Sequence, residues 1–486
     1  MNRSTRRWAT AAAISGTILA AGCAVGPDYH RPQVPAPPNY PGLEGPAAAE
    51  SLADAPWWKV FDDPVLQGLI RESVAKNYDL RVAVDQMVAA REQAGVAKSF
   101  LFPQVDLAAG YNAQQASVDS QPPLGQPGNK TYQNWNVGLT LAWQLDFFGQ
   151  LRRQKESAFA QYLASEQGRR SVLITLVSDV ASAYFQLRQL DLQLVIAKRT
   201  LGLNQETVKF YSDRLKGGVS NRLEVDQSVA NEALTAATIP QVEQQIATTE
   251  HALCLLLGRV PGPIERGRPL DELQMPPSVP AGIPAALLER RPDVVQAEDL
   301  LVSANANVGA AKALFFPAIN LTGLFGGVSH DLSNIVKANA GVWSLGAGLL
   351  QPVFNAGRIK HNYEATKAQS DAAVAQYQKA ALNGYREVAD SLVTIEKLAA
   401  VRAEQEKGVA ALRDAGVLVR QRYDSGRSNY LEILIADQDL FQLELQLAQT
   451  EGSQLQALAQ LYRALGGGWQ PEAPTPVAGS SPPPAQ

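Results

Sequence analysis

Ala97-Lys98-Ser99-Phe100-Leu101-Phe102-Pro103 returns as Ala311-Lys312-Ala313-Leu314-Phe315-Phe316-Pro317, 214 residues later. The stretch from Arg214 to Glu224, RLKGGVSNRLE, returns from Arg422 to Glu432 as RYDSGRSNYLE, 208 residues later. Leu257-Gly258 answers Leu465-Gly466 at the same 208. A near-constant offset over so long a span marks a duplicated unit, and such a repeat has to be recognised before a fold is assigned.

Each copy joins two patterns. The first has period two. Val105, Leu107, Ala109 and Tyr111 alternate with Asp106, Ala108, Gly110 and Asn112; Val137, Leu139, Leu141, Trp143 and Leu145 alternate with polar or small residues. The second copy repeats this with Ile319, Leu321 and Phe325, then Trp343, Leu345, Ala347 and Leu349. Strands of about ten residues with one apolar side are the signature of membrane-spanning β-strands. They are predicted at about 104–116, 133–146, 318–328 and 341–352. The alternative is a pair of soluble hairpins, which are marginal in water by themselves.

The second pattern is helical. From Gln150 to about Lys216 there is no proline, and Leu173, Val177, Val180, Tyr184 and Leu187 step by four and three. Tyr385, Val388, Leu392 and Ile395 keep that phase, so a coiled-coil seam is predicted. At ~1.5 Å per residue such a helix is a rod of about 100 Å. Glycine-containing tips follow, then return helices, giving helical hairpins over 150–258 and 357–466. Pro240 is expected to interrupt and bend the first return helix; its counterpart is Ala448. Asp63 and Pro64 open a helical stretch predicted to reach about Phe102.

The flanks complete the organisation. Arg3, Arg6 and Arg7 precede a short apolar run, so 1–22 reads as a signal peptide. Leu19-Ala20-Ala21-Gly22-Cys23 resembles a lipobox, with Cys23 as the lipidated residue and Ala24 in place of an inner-membrane-retaining Asp. Residues 23–56 form a Pro/Ala-rich extended arm, 57–258 the first repeat, 259–284 a linker, 285–466 the second repeat and 467–486 a disordered tail. Cys254 is then the remaining cysteine and reads as a small buried hydrophobe. With the three signal arginines removed from 43 basic residues, 47 acids leave a net charge of −7, which argues against a nucleic-acid partner.

One chain supplies four strands, and open sheet edges cannot stand in lipid. Closure therefore needs several copies: two give eight strands, three give twelve. Eight leave an interior filled by side chains, and more leave a passage.

Cys23-Ala24-Val25-Gly26-Pro27-Asp28-Tyr29, Trp57-Trp58 with Phe61-Asp62-Asp63-Pro64, Leu288-Glu289-Arg290-Arg291-Pro292-Asp293, the two tips and Tyr462-Arg463-Ala464-Leu465-Gly466-Gly467-Gly468-Trp469 span nearly the whole mature chain. In these the chain resembles TolC-type outer-membrane factors, in the NodT-type lipoprotein branch that serves RND efflux pumps. The resemblance implies an α+β membrane protein. As a homotrimer it would form a 12-stranded outer-membrane β-barrel on a 12-helix periplasmic α-barrel, with a mixed equatorial domain. It implies passive export of drugs or other small toxic molecules, with a periplasmic adaptor and an inner-membrane RND transporter as partners, outer-membrane lipid around the barrel, and no cofactor. A type I secretion duct and a pore-free lipid-anchored coiled-coil scaffold are the alternatives.

The resemblance also places tunnel closure and adaptor docking at the tips. Gate candidates are Tyr430, Leu431, Ile435, Glu224, Glu432 and Asp437; docking candidates are Arg214, Gly218, Ser220, Arg422, Gly426 and Ser428. Both glutamates also fit a plain helix-start role, Asn221-x-x-Glu224 and Asn429-x-x-Glu432. Where the family often carries an Asp gate residue this chain has Ile435, which points to an apolar constriction with Leu431. Asp437 lies two residues on, about 200° around a helix, and is not expected to substitute. Catalysis has no motif: His30, His251, His330 and His361 are scattered and read as solvated.

Overall fold

The computed structural model describes residues 24–37, 63–115, 131–273 and 287–467. The signal peptide, Cys23, Trp57-Trp58, the loop 116–130 and the tail lie outside the described residues. The elements are α1 (Pro64–Lys76), α2 (Tyr78–Ser99), β1 (Gln104–Gln115), β2 (Thr131–Leu145), α3 (Gln150–Lys216), α4 (Arg222–Leu256), α5 (Leu287–Arg290), α6 (Pro292–Ala313), β3 (Ala318–Ser329), β4 (Gly341–Leu350), α7 (Arg358–Asp424) and α8 (Tyr430–Ala464). They fall into two compact units, described separately: 1–33, 86–165 and 296–377; then 34–85, 166–295 and 378–486.

The first unit holds one antiparallel sheet in the order β1-β2-β3-β4. Its register aligns the apolar alternation of all four strands on one face. Leu107 opposes Leu139, Leu139 opposes Phe325, and Phe325 opposes Trp343. Val105, Leu141, Gly323 and Leu345 make the next row. Since side chains alternate with period two, the other face collects Asp106, Thr140, Leu324 and Ser344, then Ala108, Gly138, Gly326 and Val342. β2 and β4 each lead into a long helix through a left-handed turn at a repeat-related glycine, Gly149 (φ 81°) before α3 and Gly357 (φ 82°) before α7.

The arm is docked from Val25 onward. Val25 N–H donates to the Phe148 carbonyl at 3.1 Å, and Asn305 donates to the Pro27 carbonyl at 3.2 Å. Asp28 pairs with Arg153 at 2.9 Å, while Tyr29 and Arg31 both donate to Glu298. Gly26 passes so close to α6 that a β-carbon would sit 2.5 Å from the Gly309 Cα.

In the second unit the α3 stripe is buried, but not as a simple two-helix seam. Val177, Val180, Tyr184 and Leu187 meet Leu66, Leu69 and Ile70 of α1, Leu253 and Leu257 at the end of α4, Ile264 and Leu270, and Leu455 and Tyr462 of α8. The expected coiled-coil face is here the centre of a mixed core. Asp63 accepts from the amides of Val65 and Leu66 as the α1 cap, and from Tyr184 Oη at 2.8 Å. Cys254 is buried in this core, as its apolar setting implied.

Two expectations fail. The helix predicted from Pro64 to about Phe102 is broken at Asn77, whose carbonyl-amide side chain caps α2 through the Leu80 N–H at 2.9 Å. The interruption expected at Pro240 is absent: α4 runs through it. One lost hydrogen bond is tolerated where neighbouring residues are anchored, and Ile239 and Val242 both pack inward.

Candidate functional site

The two tips are built from the same backbone. At the first, Gly218 N–H reaches the Leu215 carbonyl and Val219 N–H the Arg214 carbonyl, both at 3.0 Å. At the second, Gly426 N–H reaches Tyr423 at 2.9 Å and Arg427 N–H reaches Arg422 at 2.8 Å. This is the Schellman arrangement, and it needs a left-handed residue. Gly218 (φ 74°) and Gly426 (φ 71°) supply it.

The side chains then diverge. Asn221 accepts from Glu224 N–H at 3.0 Å, and Glu224 accepts from the Asn221 N–H at 3.4 Å and from Ser220 Oγ. Glu224 is thus occupied in a closed capping box. Asn429 accepts from Glu432 N–H at 3.1 Å, but the Glu432 carboxylate turns toward Arg422, 4.0 Å away. Ser428 Oγ contacts only the Asn429 carbonyl, at 3.4 Å. Arg422 also donates to the Arg427 carbonyl at 3.3 Å. Arg214 lies over the rings of Phe210 and Tyr423, at 5.4 and 5.9 Å.

Tyr430 is buried, with its ring 4.3 Å from that of Tyr211 and beside Ile433. Burial pushes its phenol up to about 12, with Asp437, Glu224 and Tyr423 adding to the effect. Burial and the hydrogen bond with Tyr423 raise Tyr211 as well. Leu431 and Ile435 stay half exposed, on the side of α8 away from this cluster. Asp437 is held by Arg420 in two contacts of 2.8 and 2.9 Å. Burial raises its carboxyl above the usual range, and the Arg420 charge works against that rise. Asp437, Arg420, Tyr423, Phe210 and Ile433 line an open cavity of about 460 Å³.

Sequence reading missed this aromatic group and the polar ties along α8. Glu444 is buried between Arg199 and Arg413, the latter at 2.8 Å. Gln438 donates to Asn231 at 3.1 Å, Asn231 to Asn204 at 3.2 Å, and Asn204 to Thr235 at 2.9 Å. The available signal was asymmetry: the positions 208 residues before Asp437 and Glu444 hold Val229 and Ala236.

Among the described residues no group of His, Cys, Asp and Glu could hold a metal ion. His330 is not simply solvated, since Nδ1 lies 2.6 Å from the Gln133 carbonyl oxygen. No described helix is long and apolar enough to cross a membrane.

A duplicated chain with a four-stranded, apolar-faced sheet and two long helical hairpins defines an outer-membrane efflux protein. The model of the outer membrane efflux protein family matches residues 69–259 and again 283–467, once per copy, and the chain belongs to that family. It is 35% identical over 466 residues to a probable efflux pump outer membrane protein, TtgC, of Pseudomonas putida, covering 94% of this chain and 95% of the other. It is 34% identical to the cation efflux system protein CusC of Escherichia coli, covering 92% and 96%. The solved outer-membrane channel OprN superposes with a TM-score of 0.85 at 32% identity, over 92% of this chain and all of the other. The predicted kinship with TolC-type outer-membrane factors is therefore borne out, as is the outer-membrane location. The family is one of transport ducts rather than enzymes.

Proposed function

We propose that three copies of this chain close into a 12-stranded barrel continued by a 12-helix periplasmic tunnel. The duct would be the exit of a tripartite efflux system, with a periplasmic adaptor and an inner-membrane RND transporter supplying selectivity and drive. One observation carries this reading. The sheet has an exposed apolar face, an opposite face of mostly small and polar residues, and two unpaired edge strands, β1 and β4. Neither edge can face lipid, so β1 of one copy pairs with β4 of the next. Relatives named for the efflux of toluene, antibiotics and cations favour small toxic molecules over secreted proteins as cargo. Cys23 carries the lipid anchor, just before the docked start of the arm.

The tips are the gate and the docking surface. Tyr430 serves the packing between the two hairpins, against Tyr211, and Glu224 serves its cap. Leu431 and Ile435 remain as an apolar constriction, because their side chains are not committed to the hairpin. Arg214, Ser220, Arg422 and Ser428 border the turns at Gly218 and Gly426 that an adaptor would meet.

Cysteines placed on β1 and β4 should cross-link purified protein into trimers and nothing larger; a closed dimer would refute the reading. In planar bilayers Leu431→Ala should raise single-channel conductance about twofold or more by removing a dewetted constriction. Unchanged conductance would remove Leu431 from the gate.

A further inference from the structure

We propose that Asp106 sets the charge preference of the passage through the strand wall, as a ring of three carboxylates that draws cations and repels anions. The inference rests on the trimeric duct above. Of the four strands, β1 to β4, only β1 contains an Asp, Glu, Lys or Arg, and that residue is Asp106. Its neighbours Val105 and Leu107 belong to the exposed apolar face, so strand alternation turns Asp106 to the polar face. There it shares a row with Thr140, Leu324 and Ser344.

The carboxylate is exposed and makes no ion pair with any described residue. Its surroundings on that face are Gln104, Ala108, Gly138 and Ala142, small or neutral groups that leave it standing in open space. An acid just outside the strands behaves differently. Asp146, just past the end of β2, accepts from Arg152 N–H at 2.8 Å and from Arg152 Nε at 3.3 Å, so its charge is balanced.

Asp106 lies two residues from the helix-side start of β1, so the ring stands where a solute enters the barrel from the helices. A single-sign ring in a low-dielectric wall focuses its field into the water inside. At physiological salt the Debye length is about 8 Å, enough for the field to reach well into the lumen, whereas at 1 M it is about 3 Å. Cationic amphiphiles and metal cations would be concentrated at this level and organic anions depleted.

The test is the reversal potential of the full-length protein in planar bilayers under a KCl gradient near 0.1 M. Wild type should prefer K⁺. Asp106→Asn should lower the cation-to-anion permeability ratio roughly threefold or more, the effect of about one kT of lost potential. Asp106→Lys should invert the preference, and all three should converge near 1 M salt. An unchanged ratio in conducting Asp106→Lys channels would overturn the proposal. Where that variant fails to assemble, Asp106→Cys decides, since the other described cysteine, Cys254, is buried. Modified after insertion, an anionic thiol reagent should keep cation preference and a cationic one should reverse it. Identical selectivity after both would overturn the proposal. Wild-type protein that cross-links as a trimer but never conducts would instead refute the duct.

Discussion

In the first copy the end of the return helix α4 is received by a neutral amide: Asn77 Nδ2 donates to the Leu256 carbonyl at 3.0 Å. In the second copy the end of α8 is received by a cation: Arg291 Nη1 donates to the Ala464 carbonyl at 2.9 Å. Residue 77 and residue 291 are separated by the same 214 as the Phe-Pro anchors, and Leu256 and Ala464 by 208. The duplication has thus conserved a task and changed its chemistry. Arg291 is itself buried, and Asp293 and Glu387 hold its guanidinium, Glu387 at 2.8 Å. A charge can replace an amide at this joint only because two carboxylates accompany it.

The comparison breaks most visibly at that arginine. Arg291→Ala should lower the unfolding free energy by about 3 kcal/mol, because it strands the buried Ala464 carbonyl and leaves two partly buried carboxylates unpaired. Asn77→Ala should cost about 1–2 kcal/mol, one hydrogen bond and one cap. Chemical unfolding of the purified full-length protein followed by circular dichroism would read both; equal losses would erase the distinction.

The glycines that end the helices separate backbone conformation from space. Gly258, Gly466, Gly218 and Gly426 all have φ between 69° and 79°. A β-carbon on Gly258 would lie 2.4 Å from the Lys76 carbonyl oxygen, and one on Gly426 would meet nothing within 4 Å. Gly258→Ala should therefore cost about 2 kcal/mol or more, and Gly426→Ala about 1 kcal/mol, in the same unfolding assay.

The tips sharpen the contrast further. Asn221→Ala opens a two-way capping box and Asn429→Ala removes a one-way cap. Losses of about 1 kcal/mol and about 0.5 kcal/mol are expected, and amide exchange at the two turns would rank them locally.

The smallest effect is one of pH. Burial opposes the charge on Glu250, but hydrogen bonds from Arg266 and the Ile264 N–H, with the Arg266 charge, outweigh it and keep the carboxyl below its usual range. As pH falls, the unfolded chain takes up this proton first. The contribution is complete above the ordinary carboxylate range and is lost as pH drops through the lowered value. Glu250→Gln should flatten the acid limb of the stability profile. Its repeat counterpart, Leu458, is an apolar core residue and carries no equivalent contribution.

Local chemistry made much of this legible in the sequence. The turns at Gly218 and Gly426 were readable because left-handed backbone selects glycine. The caps at Asp63, Asn221 and Asn429 were readable because they join neighbours in sequence. Strand alternation was readable because one face is mostly apolar in all four strands. Asn77 was missed although its cap on Leu80 is local; its second tie, to the Leu256 carbonyl 179 residues away, was not legible at all. The contact of Tyr430 with Tyr211, on the other hairpin, was not legible, because an aromatic at a tip looks the same in sequence whether it faces a lumen or a neighbouring ring.

By itself the sequence determined the duplication, the order of strand pair and helical hairpin, and the four turns that reverse or end the helices, because each rests on contacts within a few residues. Only the tertiary structure decided which tip side chains are spent on packing, that the α3 stripe serves a mixed core, and that Asp106 meets no ion-pair partner among the described residues. Those outcomes depend on partners far away in the chain, and burial and charge pairing are properties of the assembled neighbours rather than of the residue.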